Sequence, residues 1–202
     1  QNQEFEKIGK TYKVKGQEAA INLGLELISG QIKDKRISEW INHININQGC
    51  SIFCSRGGLR SKIAKEWLLE NNIKVDRIPG GYKRVRKNIL EYYSDDECYK
   101  KKWFILGGLT GSGKTILLNN FKQSIDIEAI ANHRGSAFGM TNTEQPSCAN
   151  FENRLAFQKI NSIYSYILLE DESKKIGRAT LPKDWYNKMQ TSDLIVMDIT
   201  IE

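Results

Sequence analysis

The stretch Gly108-Leu109-Thr110-Gly111-Ser112-Gly113-Lys114-Thr115 decides the fold of the second half of this chain. It follows an apolar run, residues 103–106, that is typical of a buried strand, and it precedes a helical pattern over 116–123. Glycines let the main chain curl so that its N–H groups point at phosphate oxygens, while the lysine adds a mobile positive charge. The pattern predicts a phosphate-binding P-loop, with contacts from Gly108, Gly111, Ser112, Gly113, Lys114 and Thr115.

Carboxylates at the ends of neighbouring strands are the expected partners of this loop. A P-loop threonine can ligate Mg²⁺, and an acidic residue on an adjacent strand commonly completes such a site. Glu170-Asp171 follows the apolar run 166–169, and Asp198 follows 194–197. We expect Mg²⁺ to be held by Thr115 and Asp171, with Glu170 beside them. The alternative is an ordinary solvated carboxylate at a strand end.

A second candidate site lies upstream, where Cys54 to Arg60 spells C-x-x-x-x-x-R between a short strand, 51–53, and a helix, 61–70. Loop amides entering a helix attract anions, so these amides together with Arg56 and Arg60 should lower the pKa of the Cys54 thiol. Such a loop suits a cysteine phosphatase, which attacks phosphorus, or a rhodanese, whose cysteine carries a chalcogen. Phe53 stands where those phosphatases often have histidine. The other three cysteines lack such surroundings.

Strands alternating with helices predict an α/β fold with mainly parallel sheets. We expect two partial domains, one over 1–95 that carries the cysteine loop and a P-loop domain over 103–202, joined by a polar linker over 96–102. The chain stops directly after a strand, so it is expected to be a fragment truncated at both ends.

Composition narrows the class of partner. The formal net charge is +6, which favours RNA or phosphorylated substrates, although surplus surface lysine gives the same balance. Lys83 and Arg84 lie in a basic helical run that either contacts RNA phosphates or forms a solvated face. No apolar run approaches the ~20 residues of a membrane span, and the four cysteines fit free thiols in the cytoplasm.

The motifs in order resemble the tRNA 2-selenouridine synthase family. The resemblance covers nearly the whole chain and rests on the cysteine loop with Gly80-Gly81-Tyr82-Lys83, the P-loop, and the run Ala131-Asn132-His133-Arg134-Gly135-Ser136-Ala137-Phe138-Gly139. Gln145-Pro146 and Glu170-Asp171-Glu172-Ser173 also fit. Ser55 departs from the family, where tryptophan commonly follows the cysteine. The resemblance implies that residues 1–95 form a partial rhodanese-like domain whose opening strands are missing.

The resemblance implies an enzyme that converts the wobble 2-thiouridine of tRNA to 2-selenouridine through S-geranyl-2-thiouridine. Geranyl diphosphate and selenophosphate would be the co-substrates, with Mg²⁺ as a further expected ligand. Cys54, Arg56 and Arg60 would serve the selenation half, and His133 and Arg134 would contact a donor or the tRNA. The open alternative is a cysteine phosphatase or sulfurtransferase fused to a P-loop nucleotide-binding module. A P-loop kinase with an inert rhodanese domain is another.

Overall fold

The computed structural model describes residues 2–134 and 139–198, and within them the chain forms two compact units. The first is Gln1–Arg84 and the second is Val85–Glu202. The helices are α1 (Asn2–Leu27), α2 (Gly30–Ile46), α3 (Leu59–Glu70), α4 (Gly81–Tyr93), α5 (Lys114–Asn119), α6 (Ile127–Ala131), α7 (Cys148–Asn161) and α8 (Lys183–Gln190). The strands are β1 (Ser51–Ile52), β2 (Asp76–Arg77), β3 (Lys102–Gly108), β4 (Ser124–Ile125), β5 (Tyr166–Glu170), β6 (Lys175–Ile176), β7 (Ala179–Thr180) and β8 (Asp193–Met197).

The first unit places the cysteine loop between a short parallel pair of strands and a helix. Strands β1 and β2 pair with Ser51 opposite Asp76 and Ile52 opposite Arg77. The chain leaves β1, makes the loop, and enters α3, which buries Ser61, Ala64 and Leu68 along one side. Parallel strands put their carboxyl ends at one edge, so the loop after β1 lies beside the turn that follows β2.

The second unit is built on a four-stranded parallel sheet in the order β4-β5-β3-β8. Strand β3 pairs with β5 on one side and with β8 on the other. Apolar residues of β3 and β5 are buried, and two tryptophans from β3 and α8, Trp103 and Trp185, pack with ring centroids 4.6 Å apart. Because all four strands run the same way, the loops after Ile125, Glu170, Gly108 and Met197 meet at one edge of the sheet.

These sheets confirm the predicted α/β class with parallel strands. A short antiparallel pair, β6 with β7, is an addition that the sequence did not indicate. The rhodanese-like character of the first unit stays a prediction.

The polar segment expected to be a linker, 96–102, has a different structure. The boundary between the two units lies between Arg84 and Val85, inside α4, and not in the segment 96–102. Asp96–Tyr99 forms a 3-10 helix, capped by the Asp95 side chain, and Cys98 is fully buried in the core of the second unit. The charged residues of the segment face outward while one apolar side chain anchors it, which composition alone does not reveal.

Within the ranges 2–134 and 139–198, no helix combines the length and the apolar character that crossing a membrane requires.

Candidate active sites

The Cys54 sulfur lies in a cradle of hydrogen-bond donors. The Gly58 amide donates to Cys54 Sγ at 3.2 Å and the Ser61 hydroxyl lies 3.4 Å from the same sulfur. Ser61 is 2% exposed, and the Gly58 carbonyl, 3.0 Å from its hydroxyl, is the alternative acceptor for that single proton. The cysteine itself is half-buried. Donors that converge on sulfur favour the charged thiolate over the neutral thiol.

These hydrogen bonds determine the ionisation of the thiol. Burial opposes ionisation, but the Ser61 hydroxyl and the amides of Ser61, Arg56 and Gly58 outweigh it and lower the pKa of Cys54 to about 7. The loop therefore holds a large thiolate fraction at neutral pH. Hydrogen bonds, rather than the charges of Arg56 and Arg60, are the leading causes of this shift.

Two further residues, Gly81 and Arg77, hold the loop in shape. Gly81 has φ +59, and a Cβ there would lie 2.0 Å from the Cys54 carbonyl oxygen and 2.3 Å from the Gly57 nitrogen. Only glycine permits that approach. Arg77, from β2, donates to the Gly57 carbonyl at 2.5 Å. The glycine pair after β2 was a visible signal, whereas nothing in the local sequence marks Arg77.

Four exposed cations lie on the segments that form this site. Arg56 and Arg60 belong to the loop and its helix, and the Arg60 guanidinium lies 5.1 Å from the centre of the Phe5 ring. Lys83 and Arg84 lie in the first turn of α4. This turn is held against the cysteine loop, because the Lys83 amide donates to the Ser55 carbonyl at 2.9 Å. In the described part of the chain, none of the four forms an ion pair. The first unit thus combines a cysteine of lowered pKa with exposed cations on the segments that form its loop, which suits a phosphate-bearing ligand.

The predicted P-loop connects β3 to α5 at the carboxyl edge of the larger sheet. Gly108 ends β3, the turn runs through Gly111, Ser112 and Gly113, and Lys114 and Thr115 begin α5. The Ser112 hydroxyl is buried, and no described group hydrogen-bonds to it. The Lys114 ammonium donates to the carbonyls of Gly108 and Leu109, both at 2.8 Å. An anionic ligand offers these two side chains stronger acceptors than their present surroundings do.

A carboxylate at the end of β5 contacts two residues of the predicted P-loop. Thr115 Oγ1 donates to Glu170 Oε2 at 3.2 Å, and Lys114 Nζ lies 3.8 Å from Glu170 Oε1. Glu170 is 8% exposed. Burial and the nearby Glu128 raise the pKa of Glu170, although Thr115 and Lys114 partly counteract them. Asp171 is exposed, so the structure brings Glu170 rather than Asp171 to the threonine.

Glu172 and Glu128 form a second acidic pair at this edge. Their carboxyl groups are hydrogen-bonded, and burial followed by the charge of Glu128 raises the pKa of Glu172 to about 8. The pair therefore holds a proton at neutral pH, since two adjacent carboxylates cannot both ionise cheaply. The sequence shows the acidic run after β5 but not the contact with α6.

The donor set beside the P-loop fits Mg²⁺. A threonine hydroxyl and a carboxylate in direct contact are hard oxygen ligands, which this ion prefers, and nucleotide or diphosphate oxygens usually supply further ligands. Thr115 and Glu170 are the residues that would hold it. Among the described residues, no group of three or more histidine, cysteine, aspartate or glutamate side chains could hold a metal ion unaided.

His133 and Arg134, predicted as donor contacts, have opposite environments. His133 is 7% exposed, and no described group hydrogen-bonds to its Nδ1. Gly177 packs so closely that a Cβ there would lie 2.7 Å from His133 Cδ2. Arg134 is exposed, and its amide donates to the Gly139 carbonyl at 2.8 Å. Residues 135–138 of the same run lie outside the described residues.

Comparison with known proteins gives one consistent family. The family described as "tRNA 2-selenouridine synthase AAA domain" matches residues 101–202. A protein named tRNA 2-selenouridine synthase from Shewanella frigidimarina is 43% identical over 201 residues, which are 98% of this chain and 55% of the relative. Its namesake from Shewanella halifaxensis is 41% identical over 205 residues, which are 100% of this chain and 56% of the relative. The chain thus spans about half the length of these curated relatives. No solved structure matches it.

Proposed function

Because the chain belongs to the tRNA 2-selenouridine synthase family, we propose that it converts the wobble 2-thiouridine of tRNA to 2-selenouridine through S-geranyl-2-thiouridine. Geranyl diphosphate supplies the prenyl group and selenophosphate the selenium. One observation carries the proposal: a single chain holds both a P-loop with an unpartnered buried serine hydroxyl and a cysteine whose pKa is about 7. A diphosphate leaving group and a selenium transfer need two such sites.

The geranylation half uses the P-loop of the second unit. The thiouridine sulfur attacks the first carbon of the geranyl chain, and diphosphate leaves. The loop amides, Ser112 and Lys114 stabilise the negative charge that develops on that leaving group. Lys114 exchanges its carbonyl partners for diphosphate oxygens. Thr115 and Glu170, with Asp171 nearby, would hold Mg²⁺, which would neutralise charge on the diphosphate.

The selenation half uses the first unit. Alkylation converts the sulfur on C2 of the uracil into a good leaving group, because geranyl thiol departs more readily than sulfide. A selenium nucleophile generated at Cys54 then displaces it. Arg56 and Arg60 hold the anionic selenium donor beside the thiolate. The support for this role is the convergence of amides and the Ser61 hydroxyl on Sγ.

The polyanionic substrate requires a cationic surface. Lys83 and Arg84 contact tRNA phosphates next to the cysteine loop, consistent with the net charge of +6. In the second unit, Arg134 contacts the donor or the tRNA, and the buried His133 offers Nδ1 to the same ligand. The cytoplasm, where tRNA is modified, is the proposed location.

The test is a nucleoside analysis. Purified protein is incubated with thiolated tRNA, geranyl diphosphate, selenophosphate and Mg²⁺, and the digested nucleosides are measured by mass spectrometry. We expect 2-selenouridine when both donors are present and S-geranyl-2-thiouridine when selenophosphate is omitted. Omission of geranyl diphosphate should leave 2-thiouridine unchanged.

The cysteine loop also favours one competing function, a cysteine phosphatase, because its amides and arginines would suit an aryl phosphate. That function predicts phosphate release from aryl phosphates and no change in tRNA. If folded protein and active donors yield neither modified nucleoside while aryl phosphates are hydrolysed, the phosphatase replaces the synthase. ATP consumption that depends on an acceptor would instead identify a P-loop kinase.

A further inference from the structure

The oxidation state of selenium limits what Cys54 can do in the selenation half. Selenophosphate contains selenium in its fully reduced state, and displacement of geranyl thiol from C2 consumes selenium in that same state. If a thiolate took selenium from selenophosphate by forming an S–Se bond, phosphorus would leave reduced, as phosphite. Release of ordinary phosphate by that route needs an oxidant, and the later release of selenium from the S–Se bond needs a reductant.

We propose that Cys54 attacks the phosphorus of selenophosphate rather than its selenium, so that the first unit works as a P–Se-cleaving phosphatase-type site. This inference rests on the proposed function, which brings selenophosphate to the loop. In the first step an S–P bond forms, the P–Se bond breaks, and its electron pair leaves with selenium as HSe⁻. The proton on selenium comes with monoprotonated selenophosphate. The product on the enzyme is S-phosphocysteine.

Water completes the cycle. It attacks phosphorus, the S–P bond breaks, its electron pair returns to Cys54 as thiolate, and inorganic phosphate leaves with the oxygen of the water. Phosphorus and selenium keep their oxidation states throughout, so neither an oxidant nor a reductant is required. The HSe⁻ released beside the tRNA is the nucleophile that displaces geranyl thiol.

The geometry of the loop suits a tetrahedral anion in front of sulfur. A phosphoryl group carries three oxygens and a double negative charge, which backbone amides and arginines bind well. The loop provides the Gly58 amide at 3.2 Å from Sγ and exposes Arg56 and Arg60, whose side chains form no ion pair within the described residues.

Ser61 fits the second step of this reaction. Its buried hydroxyl, 3.4 Å from Sγ, stabilises the thiolate when that thiolate becomes the leaving group. No proton donor is needed in the first step, because hydrogen selenide is a much stronger acid than an alcohol or a phenol and HSe⁻ leaves unaided. Consistently, no carboxylate in the described residues hydrogen-bonds to Cys54 or pairs with the two loop arginines.

The experiment uses selenophosphate radiolabelled at phosphorus, without tRNA, followed by rapid quenching and peptide mass spectrometry. Phosphoryl and selenium adducts on cysteine have nearly equal nominal masses, so the radiolabel and the selenium isotope pattern distinguish them. We expect phosphorus on Cys54, without selenium, and one HSe⁻ captured by an alkylating trap for each cysteine phosphorylated in the first turnover. At a pH where Cys54 is ionised in both proteins, Ser61→Ala should accumulate more of the phosphorylated form, because the second step slows.

Two variants give the matched comparison. Cys54→Ser should form no S-phosphocysteine and should reduce HSe⁻ release to the uncatalysed rate. Cys50→Ser should behave as the unmodified protein, because Cys50 lies outside the loop and its thiol donates to the Asn47 carbonyl at 2.9 Å.

A selenium isotope pattern on Cys54 without phosphorus would overturn the inference, even if tRNA is selenated. So would the lack of a phosphorus adduct in both the unmodified protein and Ser61→Ala while HSe⁻ is released. If phosphorus appears on Cys54 but no tRNA is selenated, the cleavage of P–Se stands and the proposed tRNA activity fails.

Discussion

The Ser61 hydroxyl and the Cys54 sulfur lie 3.4 Å apart, with the serine almost fully buried beneath the loop. This contact is the largest single cause that lowers the pKa of the thiol. It joins the first turn of α3 to the nucleophile and makes the reactivity of Cys54 depend on a residue outside the C-x-x-x-x-x-R spacing.

Ser61→Ala should raise the pKa of Cys54 by roughly one pH unit or more, because a hydrogen bond to a charged group contributes about 1.5 kcal/mol or more. The measurement is the pH profile of alkylation of Cys54 by iodoacetamide. In the unmodified protein the rate should reach half of its plateau near pH 7 and level off roughly one to two pH units above that, since only the thiolate reacts. Ser55→Ala, at an exposed neighbour, should leave the profile unchanged. Equal profiles for both variants would exclude the role of Ser61.

Gly81→Ala should disrupt the cysteine loop. The new Cβ would meet the Cys54 carbonyl at 2.0 Å in a positive-φ conformation, so the loop must move, at a cost of about 2 kcal/mol in the free energy of unfolding. The measurement is alkylation of Cys54 together with urea unfolding. Gly58→Ala is the control, because nothing lies within 4 Å of a Cβ there. A thiol that keeps its reactivity in Gly81→Ala would contradict the described packing.

Lys114→Ala should separate the two halves of the reaction. Loss of a charge-assisted contact should weaken geranyl diphosphate binding roughly 100-fold and stop geranylation. Selenation of tRNA that already carries the geranyl group should continue at its usual rate. Lys122→Ala, at an exposed lysine shortly after α5, should change neither. If Lys114→Ala blocks selenation of geranylated tRNA, the two halves do not use separate sites.

Glu170→Gln should abolish the effect of Mg²⁺ on geranyl diphosphate affinity, measured by titration calorimetry with and without the ion. Asp171→Asn is the matched variant and should retain most of that effect, because its carboxylate is exposed while that of Glu170 contacts Thr115. The opposite ranking would restore Asp171 as the main partner of the ion.

Glu172→Gln should stabilise the folded protein more at alkaline pH than at acidic pH. The folded state raises the pKa of Glu172 to about 8, above its ordinary value of 4.5, so the folded protein binds the proton more tightly than the unfolded chain. Between those values, stability therefore falls as pH rises. The variant should unfold at a higher temperature than the unmodified protein at pH 8.5, in EDTA, and show a smaller difference at pH 5. Equal differences at both pH values would contradict the raised pKa.

Those features of the two sites that are formed by consecutive residues could be predicted from the sequence. The strand, glycine-rich turn and helix around Lys114 occur in order along the chain, and the same is true of Cys54 and α3. Helix α7 was missed because its buried residues, including Phe151 and Leu155, are interspersed with polar ones and follow a polar segment. The sequence did indicate the β5 strand that delivers Glu170.

The remaining contacts depend on tertiary pairing. Glu170 rather than Asp171 reaches Thr115 because the register of β5 against β3 sets Glu170 opposite Leu106 at the edge of the sheet. Arg77 reaches Gly57 because β2 pairs with β1, and Glu128 reaches Glu172 because α6 follows the neighbouring strand. These three contacts join residues that are far apart in the sequence, and no spacing along the chain indicates them. A single sequence therefore could not predict them.

The most direct test of the two-site account is nucleoside mass spectrometry of thiolated tRNA incubated with Cys54→Ser, both donors and Mg²⁺. The account predicts that S-geranyl-2-thiouridine accumulates and that 2-selenouridine does not form, because the P-loop still transfers the geranyl group and the thiolate is gone. Formation of 2-selenouridine at the rate of the unmodified protein would contradict the role given to Cys54.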